Sequence, residues 1–190
     1  MKNKKIAIFA SGSGTNAQKI IEYFAENENV NIDSIWSNNK DAYVLQRADN
    51  FGIETFIFDK TKFKNSNFVV KTLIERDVNL IVLAGFLWLL PLNLIQNFKI
   101  INIHPALLPK YGGKGMYGMN VHNAVVENNE KESGISIHFV NEKYDDGELI
   151  FQAKCTVLPT DTPEDVANKI HILEHKHFPE VIEKILLVSD

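Results

Sequence analysis

The chain of 190 residues lacks several features that mark particular classes of protein. Cys155 is its only cysteine, so no disulfide can form within the chain, and a reducing compartment such as the cytoplasm is expected. No apolar run approaches the roughly 18 residues of a membrane-spanning helix. The basic residues Lys2, Lys4 and Lys5 precede only a short apolar segment, so we expect no signal peptide.

Basic residues are fewer than acidic residues in this chain. The chain has 20 Lys and Arg against 24 Asp and Glu, a formal net charge of -4. A weakly acidic protein has no electrostatic footprint for nucleic acid or for an anionic membrane. We therefore expect small-molecule substrates as partners, with no nucleic acid and no membrane. Whether the protein is a monomer or a homodimer stays open at this point.

A metal-binding motif is missing as well. His171 and His175 are four residues apart and His177 follows, a spacing that can bind zinc. No glutamate completes an H-E-x-x-H pattern around them. These histidines therefore indicate a polar helix face, and no metal is expected.

What the sequence does contain is a regular alternation of apolar runs and amphipathic segments. Strands are predicted at residues 6–10, 32–36, 54–58, 80–84 and 100–103. Helices are predicted at residues 16–26, 42–51, 67–76 and 92–96. Such alternation predicts an α/β fold with a Rossmann-like, mostly parallel sheet that has helices on both faces.

The pattern changes after residue 105. A glycine-rich loop leads to a helix predicted at 119–127, and two strands follow at 133–140 and 149–156. Their short connection predicts an antiparallel hairpin added to the sheet in the C-terminal part. Thr162 and Pro163 then begin a long helix towards residue 187. Pro179 is expected to kink this helix or to divide it in two.

A glycine-rich turn stands between the first predicted strand and the first helix. Residues 11–17 match the pattern G-x-G-x-x-A of dinucleotide-binding folds. NAD binding would need an acid after the second strand, where residues 36–39 are Trp, Ser, Asn and Asn. A single phosphate is the better prediction, held by Gly14, Thr15 and Asn16 at the helix N-terminus. A capped turn without a ligand is the alternative.

Asn102 and His104 would lie on the same face of a strand end, because residues i and i+2 of a strand point the same way. An amide beside an imidazole can polarise a carbonyl group and move a proton. Asp145 precedes a glycine in a turn, and near His104 it would raise the pKa of the imidazole. His138 either points into the same cleft or is a satisfied sheet residue. The alternative for all of them is ordinary polar residues at strand ends and turns.

Together these motifs resemble the phosphoribosylglycinamide formyltransferase family, the folate-dependent enzymes of purine synthesis. The resemblance covers nearly the whole chain, from residue 6 to about residue 187. It rests on residues 11–16 (SGSGTN), 83–86 (LAGF), 101–109 (INIHPALLP) and 138–140 (HFV), and on Asp145 with Gly147.

The resemblance implies an activity and a role for each matching residue. The enzyme would transfer the formyl group of 10-formyltetrahydrofolate to the amine of N1-(5-phospho-D-ribosyl)glycinamide in de novo purine biosynthesis, without a metal. The implied roles are as follows: Asn102, His104 and Asp145 in catalysis; Gly14, Thr15, Asn16 and Glu174 in binding the nucleotide; and Leu87, Trp88, Leu89, Leu90, Asn102 and Lys62 in binding the folate.

The resemblance also implies a single formyltransferase domain over residues 1–190. Residues 1–100 would form its Rossmann-like, phosphate-binding half, and residues 101–190 the half with the catalytic and folate-binding residues. Two other interpretations stay open. One is another enzyme that uses 10-formyltetrahydrofolate, such as a hydrolase or a transfer-RNA formyltransferase-like protein, which normally carries a further domain that we do not expect here. The other is a non-catalytic, Rossmann-like nucleotide-binding module.

Overall fold

The computed structural model describes residues 3–65 and 67–187. Its strands are β1 (Lys4–Phe9), β2 (Val30–Ser37), β3 (Glu54–Ile57), β4 (Leu80–Leu83), β5 (Ile100–His104), β6 (Glu132–Phe139) and β7 (Leu149–Thr156). Its helices are α1 (Thr15–Phe24), α2 (Tyr43–Asn50), α3 (Lys60–Asn65), α4 (Phe68–Glu75), α5 (Leu92–Asn97), α6 (Met119–Glu127) and α7 (Pro163–Leu187). No described helix combines the length and the apolar character needed to cross a bilayer.

The strands form one seven-stranded sheet in the order β3-β2-β1-β4-β5-β6-β7. The pairs from β3 to β5 are parallel, whereas β6 pairs antiparallel with β5 and with β7. The predicted mostly parallel sheet and its antiparallel hairpin are thus confirmed. The chain runs outward from β1 through β2 to β3 and then crosses back to place β4 on the other side of β1. Because the strand order reverses there, a crevice opens beyond the carboxyl ends of β1 and β4.

Helices cover both faces of the sheet, and each face has its own apolar core. Along β1, Ile6 and Ile8 belong to one buried cluster, while Ala7 and Phe9 belong to the other. Successive side chains of a strand point to opposite faces, so a buried parallel strand must be apolar throughout. The first cluster packs against α1, α2 and α7, and the second against α3, α4 and α5.

The second cluster is rich in aromatic side chains. Phe9 stacks on Trp36 with ring centroids 5.6 Å apart, and Phe86 meets Phe9 edge-on at 5.5 Å. Phe63 of α3 packs against Phe86 at 5.5 Å. This aromatic core supports the chain directly after β4, where the crevice begins.

Two predictions about the helices need correction. Helix α3 was not expected, because Phe63 is the only apolar residue among Lys60–Asn65 and leaves no helical periodicity to recognise. Helix α7 is a single helix of 25 residues that continues through Pro179. Of the two outcomes expected there, a kink or a division, the division is wrong. Proline removes only one backbone donor, and the buried neighbours Phe178, Val181 and Ile182 hold both halves of the helix in the core.

The start of α7 agrees with its sequence signal. Thr162 Oγ1 accepts a hydrogen bond from the Asp165 amide at 3.2 Å, and the Asp165 carboxylate accepts one from the Thr162 amide at 2.9 Å. This reciprocal capping satisfies backbone donors that a helix N-terminus otherwise leaves unpaired. It fixes the beginning of the helix that carries Glu174 to the site.

The close packing of the hairpin depends on Gly134. A Cβ atom at this position would lie 2.1 Å from the carbonyl oxygen of Ala153. We expect Gly134→Ala to lower the free energy of unfolding by about 1–3 kcal/mol, the usual range for overpacking, as measured by urea denaturation.

Gly12→Ala is the matched control for this measurement. A Cβ atom at position 12 would meet no atom of the described residues within 4 Å apart from its chain neighbours. Its free energy of unfolding should stay within about 0.5 kcal/mol of the wild type. Equal stability of the two alanine variants would contradict the prediction.

Candidate active site

A cavity of about 640 Å³ lies beyond the carboxyl ends of β1, β4 and β5. Its lining includes residues 11–16, 83–90, 102–105 and 113–118, parts of the segment 138–145, and side chains of α6 and α7. This is the crevice that the reversal of strand order creates, and ligands of open α/β sheets bind there. Both halves of the chain contribute to it.

Asn102, His104 and Asp145 meet at the floor of this cavity. Asp145 Oδ2 lies 3.4 Å from His104 Nδ1, and Asn102 Nδ2 donates to Asp145 Oδ1 at 3.4 Å. The expected proximity of Asp145 and His104 is therefore confirmed. His138 stands opposite Asn102 in the register of β5 and β6 and joins the same group.

His138 combines the two alternatives that the sequence left open. Its Nδ1 donates to the Phe139 carbonyl oxygen at 2.8 Å, so this ring nitrogen is satisfied within the sheet. Its Nε2 lies 3.2 Å from Asn102 Nδ2 and 3.6 Å from Asp145 Oδ1, within reach of both side chains. His138 thus lines the cavity and helps to orient the Asn102 amide.

The loop after β5 holds this group in place through its backbone. His104 Nε2 donates to the Tyr111 carbonyl oxygen at 2.7 Å, and the Gly113 amide donates to Asp145 Oδ2 at 2.9 Å. Sequence reasoning missed Tyr111 and Gly113, because a backbone contact carries no side-chain signal. A Cβ atom at Gly112 would lie 2.6 Å from Leu108 Cδ2, so the loop approaches its base closely.

Two opposing effects act on the pKa of His104. Burial lowers the pKa of His104, whose exposed fraction is only 3%, and this outweighs the raising effects of Asp145 and of the Tyr111 carbonyl. Asp145 does act to raise the pKa of His104, as expected, but burial has the larger effect and the net shift is downward. The physical reason is that losing water costs the imidazolium more than one carboxylate at 3.4 Å returns.

Asp145 itself is ionised. Burial acts to raise its pKa, but the hydrogen bond with His138 and the Gly113 amide are among the contacts that together hold the pKa of Asp145 below its ordinary value. The Nδ1 of the buried His104 ring therefore faces a fixed negative charge. Any negative charge that developed on a ligand would need a positive partner, and His104 is placed to become one.

The glycine loop lines the opposite side of the cavity. Gly14 is the N-cap of α1 with φ of 73°, and a Cβ atom there would lie 2.4 Å from Val44 Cγ2. Only glycine fits this turn, which brings Thr15 and Asn16 to the cavity at the helix N-terminus. The first amides of a helix have no intrahelical partner, and such amides suit an anion.

The apolar wall predicted from residues 87–90 is present. Leu87, Trp88, Leu89 and Leu90 all line the cavity. Trp88 is half-buried, and its ring packs 5.7 Å from that of Phe63. The wall is thus an extension of the aromatic core.

Lys62 is the one predicted site residue that does not line the cavity. It lies on α3, with its ammonium 6.0 Å from the centre of the Phe68 ring. A contact with folate would have to involve a part of that molecule outside the cavity.

Comparison with known proteins agrees with this geometry. The model of the family described as formyl transferase matches residues 4–182. The chain belongs to the formyl transferase family. Phosphoribosylglycinamide formyltransferase of Bacillus subtilis is 36% identical over 190 residues, which cover 96% of this chain and 95% of the relative. The Escherichia coli enzyme of the same name is 34% identical, with 93% and 84% covered.

Longer relatives and solved structures carry the same name. The chloroplastic enzyme of Arabidopsis thaliana is 41% identical over 97% of this chain, and that of Vigna unguiculata is 38% identical. The chain spans 66% and 62% of the lengths of these two plant relatives. The crystal structure of the Bacillus halodurans enzyme superimposes with a TM-score of 0.87 at 31% identity, covering 98% of this chain and 97% of that one.

Glu174 is the remaining predicted residue of this family member, and it faces the cavity from α7. Its carboxylate accepts a hydrogen bond from Asn16 Nδ2 at 2.9 Å, which joins it to the glycine loop. Burial raises the pKa of Glu174 to about 7, and the Asn16 amide opposes this only in part. Glu174 can therefore gain or lose a proton near neutral pH.

Sequence reasoning overlooked His122 on α6. It is buried and lines the cavity. A histidine within an amphipathic helix gives no signal by itself, since only its position beside the other segments reveals the cavity. Among residues 3–65 and 67–187, no cluster of three acidic, histidine or cysteine side chains could hold a metal ion.

The raised pKa of Glu174 predicts how stability depends on pH. Between pH 4.5, its ordinary pKa, and about 7, the unfolded chain releases the proton that the folded chain still holds. The folded state therefore loses stability from this group as pH rises through that window. We expect Glu174→Gln to increase the free energy of unfolding by up to about 3 kcal/mol at about pH 8, with little effect at about pH 4.

Chemical denaturation of both proteins across this range measures the difference. A gain that is the same at both pH values would show that Glu174 titrates normally.

Proposed function

We propose that this chain transfers the formyl group of 10-formyltetrahydrofolate to the amine of N1-(5-phospho-D-ribosyl)glycinamide, in de novo purine biosynthesis. The observation that carries the proposal is that Asn102, His104 and Asp145 converge in a cavity whose opposite side is the glycine loop. The names of the relatives support this function over the hydrolase and transfer-RNA alternatives.

The nucleotide enters with its phosphate at the glycine loop. Backbone amides around Gly14, Thr15 and Asn16 at the start of α1 bind that phosphate. Glu174 then faces the amine at the other end of the nucleotide. Because an ammonium group cannot attack, the Glu174 carboxylate, with its pKa of about 7, takes up a proton and leaves a neutral amine.

The folate lies against the apolar wall with its formyl group towards Asn102. The side chains of Leu87, Trp88, Leu89 and Leu90 cover its ring system and exclude water. Water exclusion strengthens the electrostatic interactions at the reacting carbon.

Transfer begins when the amine nitrogen attacks the formyl carbon. A new C–N bond forms, and the formyl oxygen becomes an oxyanion. The Asn102 amide donates to this oxygen, and His104 takes up the proton that the attacking nitrogen loses and carries it as an imidazolium, which Asp145 stabilises from 3.4 Å away. The bond to the folate nitrogen then breaks, that nitrogen takes the proton lost by the amine, and tetrahydrofolate leaves.

The direct test mixes the purified protein with 10-formyl-5,8-dideazafolate and glycinamide ribonucleotide. Deformylated folate should appear only when both substrates are present. Release of deformylated folate without the nucleotide would instead indicate a hydrolase. No release at all would favour the interpretation of the chain as a non-catalytic nucleotide-binding module.

The oxyanion assignment predicts the effect of two substitutions. Asn102→Ala and His104→Ala should each lower kcat by about 10²–10³-fold, the usual cost of one oxyanion donor. Their affinity for the folate analogue should change much less, because the apolar wall is untouched. Steady-state kinetics with titration of the analogue measures both quantities.

Histidine and asparagine residues outside the cavity provide the controls. His177→Ala and Asn128→Ala should retain the kcat of the wild type. Near-normal kcat in both cavity variants would refute the assignment.

The cellular location and the oligomeric state stay predictions. We propose a cytoplasmic enzyme, in keeping with the single cysteine, although the two plant relatives are named as chloroplastic. The proposed site is formed within one chain, so it needs no second copy to be complete.

A further inference from the structure

His122 lies deep in the cavity, yet the proposed reaction gives it no task. It sits in the first half of α6, only 3% of its surface is exposed, and it lines the cavity with His171 and Glu174 of α7. A histidine in this position either packs as part of the core or binds a ligand.

An unpaired ring nitrogen of His122 favours the second possibility, that this residue binds a ligand. Its Nδ1 is buried and has no hydrogen-bond partner among the described residues. Leaving a buried polar atom unpaired is unfavourable, so native proteins rarely keep one without a reason. If His122 only filled space in the core, a leucine could do the same without leaving a buried polar atom unpaired.

The lowered pKa of His122 restricts the chemical class of ligand that its ring can bind. Burial lowers its pKa to about 4, and the nearby His171 and His104 act in the same direction. At neutral pH the ring is therefore uncharged, with one nitrogen as donor and the other as acceptor. Such a ring suits an amide or a hydroxyl group better than a phosphate or an ammonium.

The neighbours of His122 indicate where this group lies. His104 stands at the formyl-transfer centre, whereas His171 and Glu174 belong to the face of α7 proposed to meet the nucleotide. Both histidines act on the pKa of His122, so its ring lies near both of these regions. The nucleotide has its uncharged ribose and amide groups between its phosphate and its amine.

We propose that His122 is a further nucleotide-binding residue, which uses Nδ1 to hydrogen-bond the ribose or amide part of glycinamide ribonucleotide. This inference rests on the proposed function. It predicts that removing the imidazole weakens nucleotide binding and leaves folate binding intact.

His122→Leu tests the proposal by isothermal titration with each substrate separately. The Kd for glycinamide ribonucleotide should rise at least about tenfold, the value of one hydrogen bond, while the Kd for 10-formyl-5,8-dideazafolate stays within about twofold. The melting temperature should be unchanged or higher, because an unpaired polar atom is removed. A purely structural histidine would instead give a lower melting temperature and unchanged affinities.

His122→Asn and His122→Gln refine the test. The Asn side chain places a polar atom near the position of Nδ1, so it should restore most of the nucleotide affinity. The longer Gln side chain reaches towards Nε2 and should not. Equal affinity of the Leu and Asn variants would overturn the assignment to Nδ1.

Ser133→Ala is the matched control. Its Oγ is likewise buried without a partner among the described residues, but Ser133 does not line the cavity. This variant should keep both affinities. If His122→Leu does not fold, ¹⁵N NMR of the wild-type imidazole replaces it: a shift of the His122 Nδ1 signal on saturation with the nucleotide supports the proposal, and an unchanged signal overturns it.

The two levels of inference fail differently. If the wild type binds no glycinamide ribonucleotide, both the proposed function and the role of His122 are overturned. If the wild type binds it and transfers the formyl group, but His122→Leu binds it equally well, only the role of His122 is overturned.

Discussion

The site depends on one buried carboxylate. Asp145 is ionised although only 10% of its side chain is exposed, so its oxygens must be satisfied by the protein. Asn102, His138 and the Gly113 amide do so, and His104 lies close by. These contacts come from β5, from β6 and from the loop after β5. The Asp145 carboxylate therefore holds three segments together. Its negative charge can also stabilise His104 when that imidazole is protonated.

The second constraint is the reversal of strand order beside β1. It separates the loops after β1 and β4 and leaves a crevice between them. The glycine loop and the apolar wall form opposite sides of this crevice, with the strand end of β5 at its floor. A polar side that carries the N-terminus of α1 and an apolar side therefore face each other across Asn102, His104 and Asp145. This arrangement suits two unlike substrates whose reactive ends must meet.

The pKa values of two carboxylates in the cavity, Asp145 and Glu174, are shifted in opposite directions because their surroundings differ. Asp145 accepts several hydrogen bonds and remains charged, whereas Glu174 has one amide donor and a pKa raised to about 7. Hydrogen bonds to the charged form outweigh burial in the first case and not in the second. One group can thus hold a positive charge in place while the other exchanges a proton. Residue type alone could not assign these two tasks.

The strands, most of the helices and the shared strand face of Asn102 and His104 followed from the sequence, because period-2 and period-3.6 patterns and strand-end positions are local properties. The place of Asp145 beside them was implied only by the family resemblance. Local patterns failed where a distant neighbour decides the outcome. Helix α3 forms around the single buried ring of Phe63, and α7 passes through Pro179 because the core holds both of its halves. The pKa of His104 and the place of His122 likewise needed the tertiary structure. Burial, and the contact of residues far apart in the chain, exist only once the chain is folded.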